Sequence, residues 1–178
     1  MNFIIKLTII SIMFTVFYVV NMNAQSIITF NGSGILTYRT VNDTLKKYGF
    51  PTSIVVVINE GITTIDNEAF INCNTLISIS FPKSLEYIGE SAFENCSSLM
   101  SITLPDKLAF ISHKAFINCI KLEEIICLRT TPPRLGAFVF DYIKYTCKIY
   151  VPEESVYAYE NDYGWSSYAN LIKAKQTP

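Results

Sequence analysis

The sequence predicts a short α/β repeat solenoid: a parallel ladder of four or five strands, helical or 3₁₀ turns on the opposite side, and a cap at each end. Three observations predict it. One phrase recurs as IDNEAFINCNTLISISFP (65–82), IGESAFENCSSLMSITLP (88–105) and ISHKAFINCIKLEEIIC (111–127). It returns every 23 residues with the same letters in the same places: Ile65, Ile88 and Ile111; Ala69, Ala92 and Ala115; Phe70, Phe93 and Phe116; Cys73, Cys96 and Cys119; Leu76, Leu99 and Leu122; Ile79, Ile102 and Ile125. Within each phrase the apolar spacing changes from three to five residues before the cysteine to alternation after the leucine, the change expected between a turn and a half-buried strand. The 178 residues suit one domain, and a hydrophobic share of 50% with 13% aromatics supplies a core and argues against disorder.

Taken in order, residues 1–24 read as a signal peptide. Lys6 precedes an uncharged run from Leu7 to Val20, and Ala24 offers a small residue for cleavage before Gln25. The rival reading is an uncleaved anchor, for which the run is short against the roughly 20 residues a spanning helix needs. After cleavage no membrane span is expected. Residues 25–50 form an N-terminal cap, residues 51–152 the repeats and residues 153–178 a C-terminal cap.

In the repeats, LISISFP, LMSITLP and LEEIIC place alternate residues inward, and Pro82 and Pro105 end their strands because proline lacks the ladder donor. Upstream, Val56, Ile58 and Ile62 fall where Ile79, Phe81 and Leu85 stand, adding a strand. Downstream, IYVP (149–152) matches ITLP (102–105), and Ala137-Phe138 recurs 22 residues after Ala115-Phe116. TTPPRL between them reads as a rigid excursion. One unit cannot bury both its strand face and its Phe, so units must stack and the end coils must be covered. A period in the twenties with Leu-x-x-Ile-x-Leu spacing is that of a leucine-rich repeat.

The phrase I-x-x-x-AF-x-x-C-x-x-L-x-x-I-x-L-P, the TPP turn, the IYVP strand and the closing YENDYGWSSYANLI together resemble the BspA-like leucine-rich repeats over residues 50–175. The resemblance implies an exported or surface protein without catalysis, of a kind that includes adhesins. It implies a partner surface but names no partner, because fold and function are separable.

No residue pattern points to an enzyme or a cofactor. His113 is the only histidine and stands in a variable slot shared with Glu90 and Asn67, a poor place for a catalytic base. Gly32 and Gly34 lack the rest of a phosphate-binding fingerprint. Glu123 and Glu124 alternate faces on a strand, and Glu153-Glu154 suits the first turn of a helix after Pro152. One cysteine per coil does not give the close pairs typical of metal sites; the reading is a column of buried thiols, with neither metal nor disulfide. Cys127 and Cys147 are four residues out of register, about 13 Å and beyond bridging range. Without residues 1–24, whose one charge is Lys6, the balance is 13 basic against 15 acidic residues. That excludes nucleic acid as an expected partner.

What remains is surface. The outward residues of the strand ladder, Ser78, Ser80, Ser101, Thr103, Glu124 and Ile126, form the first candidate face. The aromatic residues Tyr157, Tyr159, Tyr163, Trp165 and Tyr168 form a second candidate surface, with packing over the last coil as the competing reading. The expected function is an exported, non-catalytic interaction module that binds a protein or glycan at the cell exterior, in adhesion at the cell surface. The alternative is a structural or self-associating envelope protein with no specific ligand. Secreted, periplasmic and cell-surface locations all remain open.

Overall fold

A computed structural model describes residues 26–175 in full, and the backbone alone of Ile4–Ile5 (β1) and Thr15–Val20 (β2). The rest of the segment read as a signal peptide, including its cleavage site, lies outside the described residues. β3 (Ser26–Asn31) and β4 (Gly34–Leu36) are followed by α1 (Tyr38–Lys47), β5 (Ile54–Ile58), β6 (Ile62–Ile65), β7 (Leu76–Ser80), β8 (Tyr87–Ile88), β9 (Ser101–Leu104), β10 (Phe110–Ile111), β11 (Glu124–Cys127), β12 (Arg134–Leu135) and β13 (Lys148–Pro152). A 3₁₀ turn at Glu153–Ser155, α2 (Val156–Asn161), a second 3₁₀ segment at Ser166–Leu171 and β14 (Ile172–Lys175) close the chain.

The strands form two ladders. The longer runs β1-β2-β3-β5-β7-β9-β11-β13-β14, with every pair from β3 to β14 parallel; the second runs β12-β10-β8-β6-β4. The predicted solenoid is present, and its long ladder has seven parallel strands where four or five were expected. Both caps contribute a strand: β3 extends the ladder before β5, and β14 extends it after β13. The second ladder was not foreseen, because two-residue strands such as Tyr87–Ile88 are too short to show alternation.

Each coil runs from a long-ladder strand through a bend to a short-ladder strand, then through a series of tight turns back to the next strand. β9 stops at Leu104, directly before Pro105, which has no amide proton to continue the ladder. The turns make no regular helix. Bonds from Ala69 N to Asp66 O, Ile71 N to Glu68 O and Cys73 N to Phe70 O close single turns, while Glu68 and Asn72 adopt left-handed φ of 57° and 58°. Ser91 with Asn95 and Lys114 with Asn118 repeat the pair in the next two coils. Asparagine tolerates this conformation better than most residues. Its side chains also link the coils: Asn95 Nδ2 donates to Asn72 Oδ1 (2.8 Å) and Asn118 Nδ2 to Asn95 Oδ1 (2.9 Å).

The core lies between the ladders and the turns. Phe70, Phe93 and Phe116 stack nearly parallel, with centroids 5.1 and 4.9 Å apart. The next ring is Phe140, 5.5 Å from Phe116, not Phe138. The expected match of Ala137-Phe138 to Ala115-Phe116 is therefore corrected: Phe116 N bonds to Val139 O, so Val139-Phe140 takes the place of Ala-Phe. This coil is 24 residues long, as the pairings of Ile111 with Leu135 and Ile125 with Ile149 show. Phe138 occupies the left-handed slot (φ 60°) and is 56% exposed.

At the N-terminus α1 takes the turn segment's place beside the first coil. Thr37 caps it, its Oγ1 accepting from Thr40 N at 3.2 Å, and Lys46 and Lys47 suit the negative end of the helix. Val41 and Thr44 are its buried residues.

Candidate interaction surface

Alternation along the strands fixes which side chains leave the core. Ile79, Ile102, Ile125, Ile149 and Ile172 point inward and are buried. Their neighbours form two outward rows. Ile27, Val55, Ser78, Ser101, Glu124 and Lys148 make one; Thr103, Ile126, Tyr150 and Lys173 make the other, preceded by the paired Thr29, Val57 and Ser80. All six face residues read from the sequence thus sit on one surface. Ser80, Ser101 and Thr103 are exposed, while Ser78, Glu124 and Ile126 are half-buried.

The face changes character along the ladder. It is apolar at Ile27, Val55 and Val57, hydroxyl-bearing at Ser78 to Thr103, and charged with an aromatic at its C-terminal end. Glu124, Ile126, Lys148, Tyr150, Lys173, Ala174 and Lys175 line a shallow groove there. The sequence reading missed Lys148, Tyr150, Lys173 and Lys175. The match of IYVP to ITLP already placed Tyr150 level with Thr103 and could have found the first two. β14 carries no repeat letters, so no signal pointed to Lys173 and Lys175.

The five aromatic candidates separate. Trp165 and Tyr159 are buried and unavailable to a partner, which corrects their place in a second surface. Trp165 packs on Phe140 (5.7 Å) and donates from Nε1 to Pro133 O at 2.7 Å; Tyr159 meets Trp165 edge-on at 5.0 Å and donates to Arg129 O at 2.9 Å. These bonds tie the cap to the TPP excursion. Tyr168 is half-buried, accepting from Phe140 N and donating to Asp141 Oδ1. Tyr157 and Tyr163 are 78% and 98% exposed.

All five cysteines are buried free thiols. Cys96 and Cys119 donate to the carbonyls of Phe70 and Phe93, at 3.2 and 3.3 Å, joining each coil to the one before. The pairing of Ile125 with Ile149 puts Cys127 level with Val151, away from Cys147. Burial pushes the thiol of Cys73 up to about 11 and those of Cys119, Cys127 and Cys147 to about 12, because the thiolate would lose its hydration. Unfolded thiols ionise near 9, so above that pH the unfolded chain releases protons that the folded chain retains. The stability that these buried thiols contribute is therefore fully present below pH 9 and is lost as pH rises toward 11–12. Urea titrations across that range should show a falling midpoint, and Cys119→Ala should flatten the fall; a midpoint independent of pH would contradict the burial of these thiols.

Among the described residues no group of three or more His, Cys, Asp or Glu gathers as a metal site, and no helix is long and apolar enough to cross a membrane. His113 is exposed. Glu123 leaves the face to pair with Lys144. Glu153 and Glu154 open the 3₁₀ turn after Pro152.

A stacked coil with one regular ladder of outward side chains defines a leucine-rich repeat solenoid. The BspA type leucine rich repeat region matches residues 43–166 in six copies, and the chain belongs to that family. Among solved structures it resembles a leucine-rich repeat protein from Bacteroides ovatus (26% identity, TM-score 0.51), covering 68% of this chain and 30% of that one. It also resembles a leucine rich cell surface protein from Faecalibacterium prausnitzii (20% identity, TM-score 0.52, covering 84% of this chain and 44% of that one). The T. pallidum leucine rich repeat protein matches at 21% identity and TM-score 0.51, covering 97% of this chain and 83% of that one. The chain thus spans less than half the length of the first two. No curated protein matches it.

Proposed function

We propose that this chain is an exported, non-catalytic interaction module that binds a protein or glycan at the cell exterior through its strand-ladder face, in surface adhesion. The observation that carries this reading is the register: Ser78, Ser101, Glu124 and Lys148 stand in one outward row across four strands. Thr103, Ile126, Tyr150 and Lys173 stand in a second. Family membership supports an interaction role, and the likeness to a leucine rich cell surface protein of Faecalibacterium supports export.

Seven strands about 4.8 Å apart and up to roughly 17 Å long offer on the order of 500 Å². A stable protein interface uses about 800 Å² per partner. Binding by one module is accordingly weak and gains from multivalency. The test is capture of host-matrix proteins and arrayed glycans by the purified protein, repeated with Ser80→Arg and Thr103→Arg. Loss of capture in these variants supports the reading. Ordered oligomers that form without any ligand, and that both variants leave intact, would replace it with a structural envelope role.

A further inference from the structure

We propose that the C-terminal end of the strand face, over β11, β13 and β14, binds an anionic polysaccharide. The inference rests on the strand-face reading above and names its ligand class.

The side chains converge from three strands. Tyr150 lies directly opposite Lys173 on the neighbouring strand and opposite Ile126 on the other side. Lys148 lies two residues before Tyr150 on the same strand face, and Lys175 two residues after Lys173. Strand geometry therefore puts Lys173 roughly 8 Å from Lys148 and roughly 7 Å from Lys175, with Lys148 and Lys175 about 14 Å apart on either side of the tyrosine. Lys148, Lys173 and Lys175 are exposed, and none has an ion-pair partner among the described residues, although Glu124 stands across from Lys148. Lys144, by contrast, is engaged with Glu123. Like charges on adjacent positions of one sheet face repel, and a ligand carrying several negative charges relieves that repulsion.

The same chemistry selects a polysaccharide over an acidic peptide or a folded protein. Between β11 and β14 the facing backbone groups are spent in the ladder, so a ligand lying flat on the face meets side chains. The face offers a partly exposed aromatic ring for a sugar face, the hydroxyls of Ser101 and Thr103 for sugar hydroxyls, and cations for carboxylate or sulfate groups. An area too small for a protein interface is enough for a few sugar units, and a repeating polymer brings the multivalency such a site needs.

The probe is polygalacturonate, immobilised, with the purified protein in solution at low and physiological ionic strength. Neutral dextran and polyglutamate serve as comparison surfaces. The expected result is binding to polygalacturonate that weakens with salt, with none to dextran. K148Q/K173Q/K175Q should weaken it at least about tenfold. K107Q/K114Q/K121Q, which removes the same charge away from this face, should not. Tyr150→Ala should weaken binding to polygalacturonate and leave any binding to polyglutamate unchanged. These positions are exposed or half-buried, and thermal melts would verify that each variant folds. Three results overturn the proposal: no binding to polygalacturonate, equal loss in both lysine triples, or polyglutamate bound as well as polygalacturonate with no effect of Tyr150→Ala. Any of these with capture still sensitive to Ser80→Arg and Thr103→Arg removes the ligand class alone. Insensitivity to those two variants removes the strand-face reading itself.

Discussion

Phe140→Ala is expected to destabilise the protein by about 3–5 kcal/mol, the usual cost of a buried Phe truncation. Phe138→Ala, two residues earlier, should change stability by no more than about 0.5 kcal/mol, as exposed substitutions do. Phe140 is buried and touches Phe116, Trp165 and Tyr168 with its ring, so its loss opens a cavity at the junction of the last coil and the cap. Phe138 points to solvent from a left-handed backbone position. The contrast is a direct test of the 24-residue coil: in the 22-residue register Phe138 would be the stacked ring and the two costs would exchange. Urea denaturation of both variants, followed by far-ultraviolet dichroism, decides between them.

Trp165→Ala should be the second large effect, again about 3–5 kcal/mol. The side chain covers the end of the phenylalanine stack, and without it that end faces water. Trp165→Phe separates packing from hydrogen bonding. It keeps an aromatic ring against Phe140 but leaves the buried Pro133 carbonyl without the Nε1–H donor, at a cost of about 1–3 kcal/mol. Because Trp165 is the only tryptophan, its fluorescence reports on the cap alone. In the native protein the cap should unfold together with the solenoid, so fluorescence and dichroism transitions should coincide. A fluorescence transition well ahead of dichroism would show that the cap is not coupled to the last coil.

The candidate face was legible to the extent that the repeat was. Ser78, Ser80, Ser101, Thr103, Glu124 and Ile126 could be named because each sits between repeated inward residues, and alternation on a strand leaves one choice of side. Lys173 and Lys175 could not, since β14 has no repeat letters and joins the ladder only after α2 and a 3₁₀ segment bring it back. The asparagine ladder was written in the phrase, as the residue before each repeated cysteine. An exposed polar letter at a fixed place can mean a turn or nothing, and its left-handed conformation and coil-to-coil bonds are visible only in the folded chain.

The solenoid, its strand positions and its buried columns follow from the chain alone, because every coil must bury the same points against its neighbours and so repeats the same letters. Where the phrase decays, that reasoning loses its anchor. Ala137-Phe138 looks like the repeat and is displaced; Val139-Phe140 does not, and it is the pair that packs. Ring stacking and the hydrogen bond from Phe116 N to Val139 O selected between them. The fate of the C-terminal aromatics was likewise a tertiary matter. Composition is the same for a tyrosine in the core and one in water, and only the position of the last coil and the TPP excursion sent Tyr159 and Trp165 inward while leaving Tyr157 and Tyr163 outside.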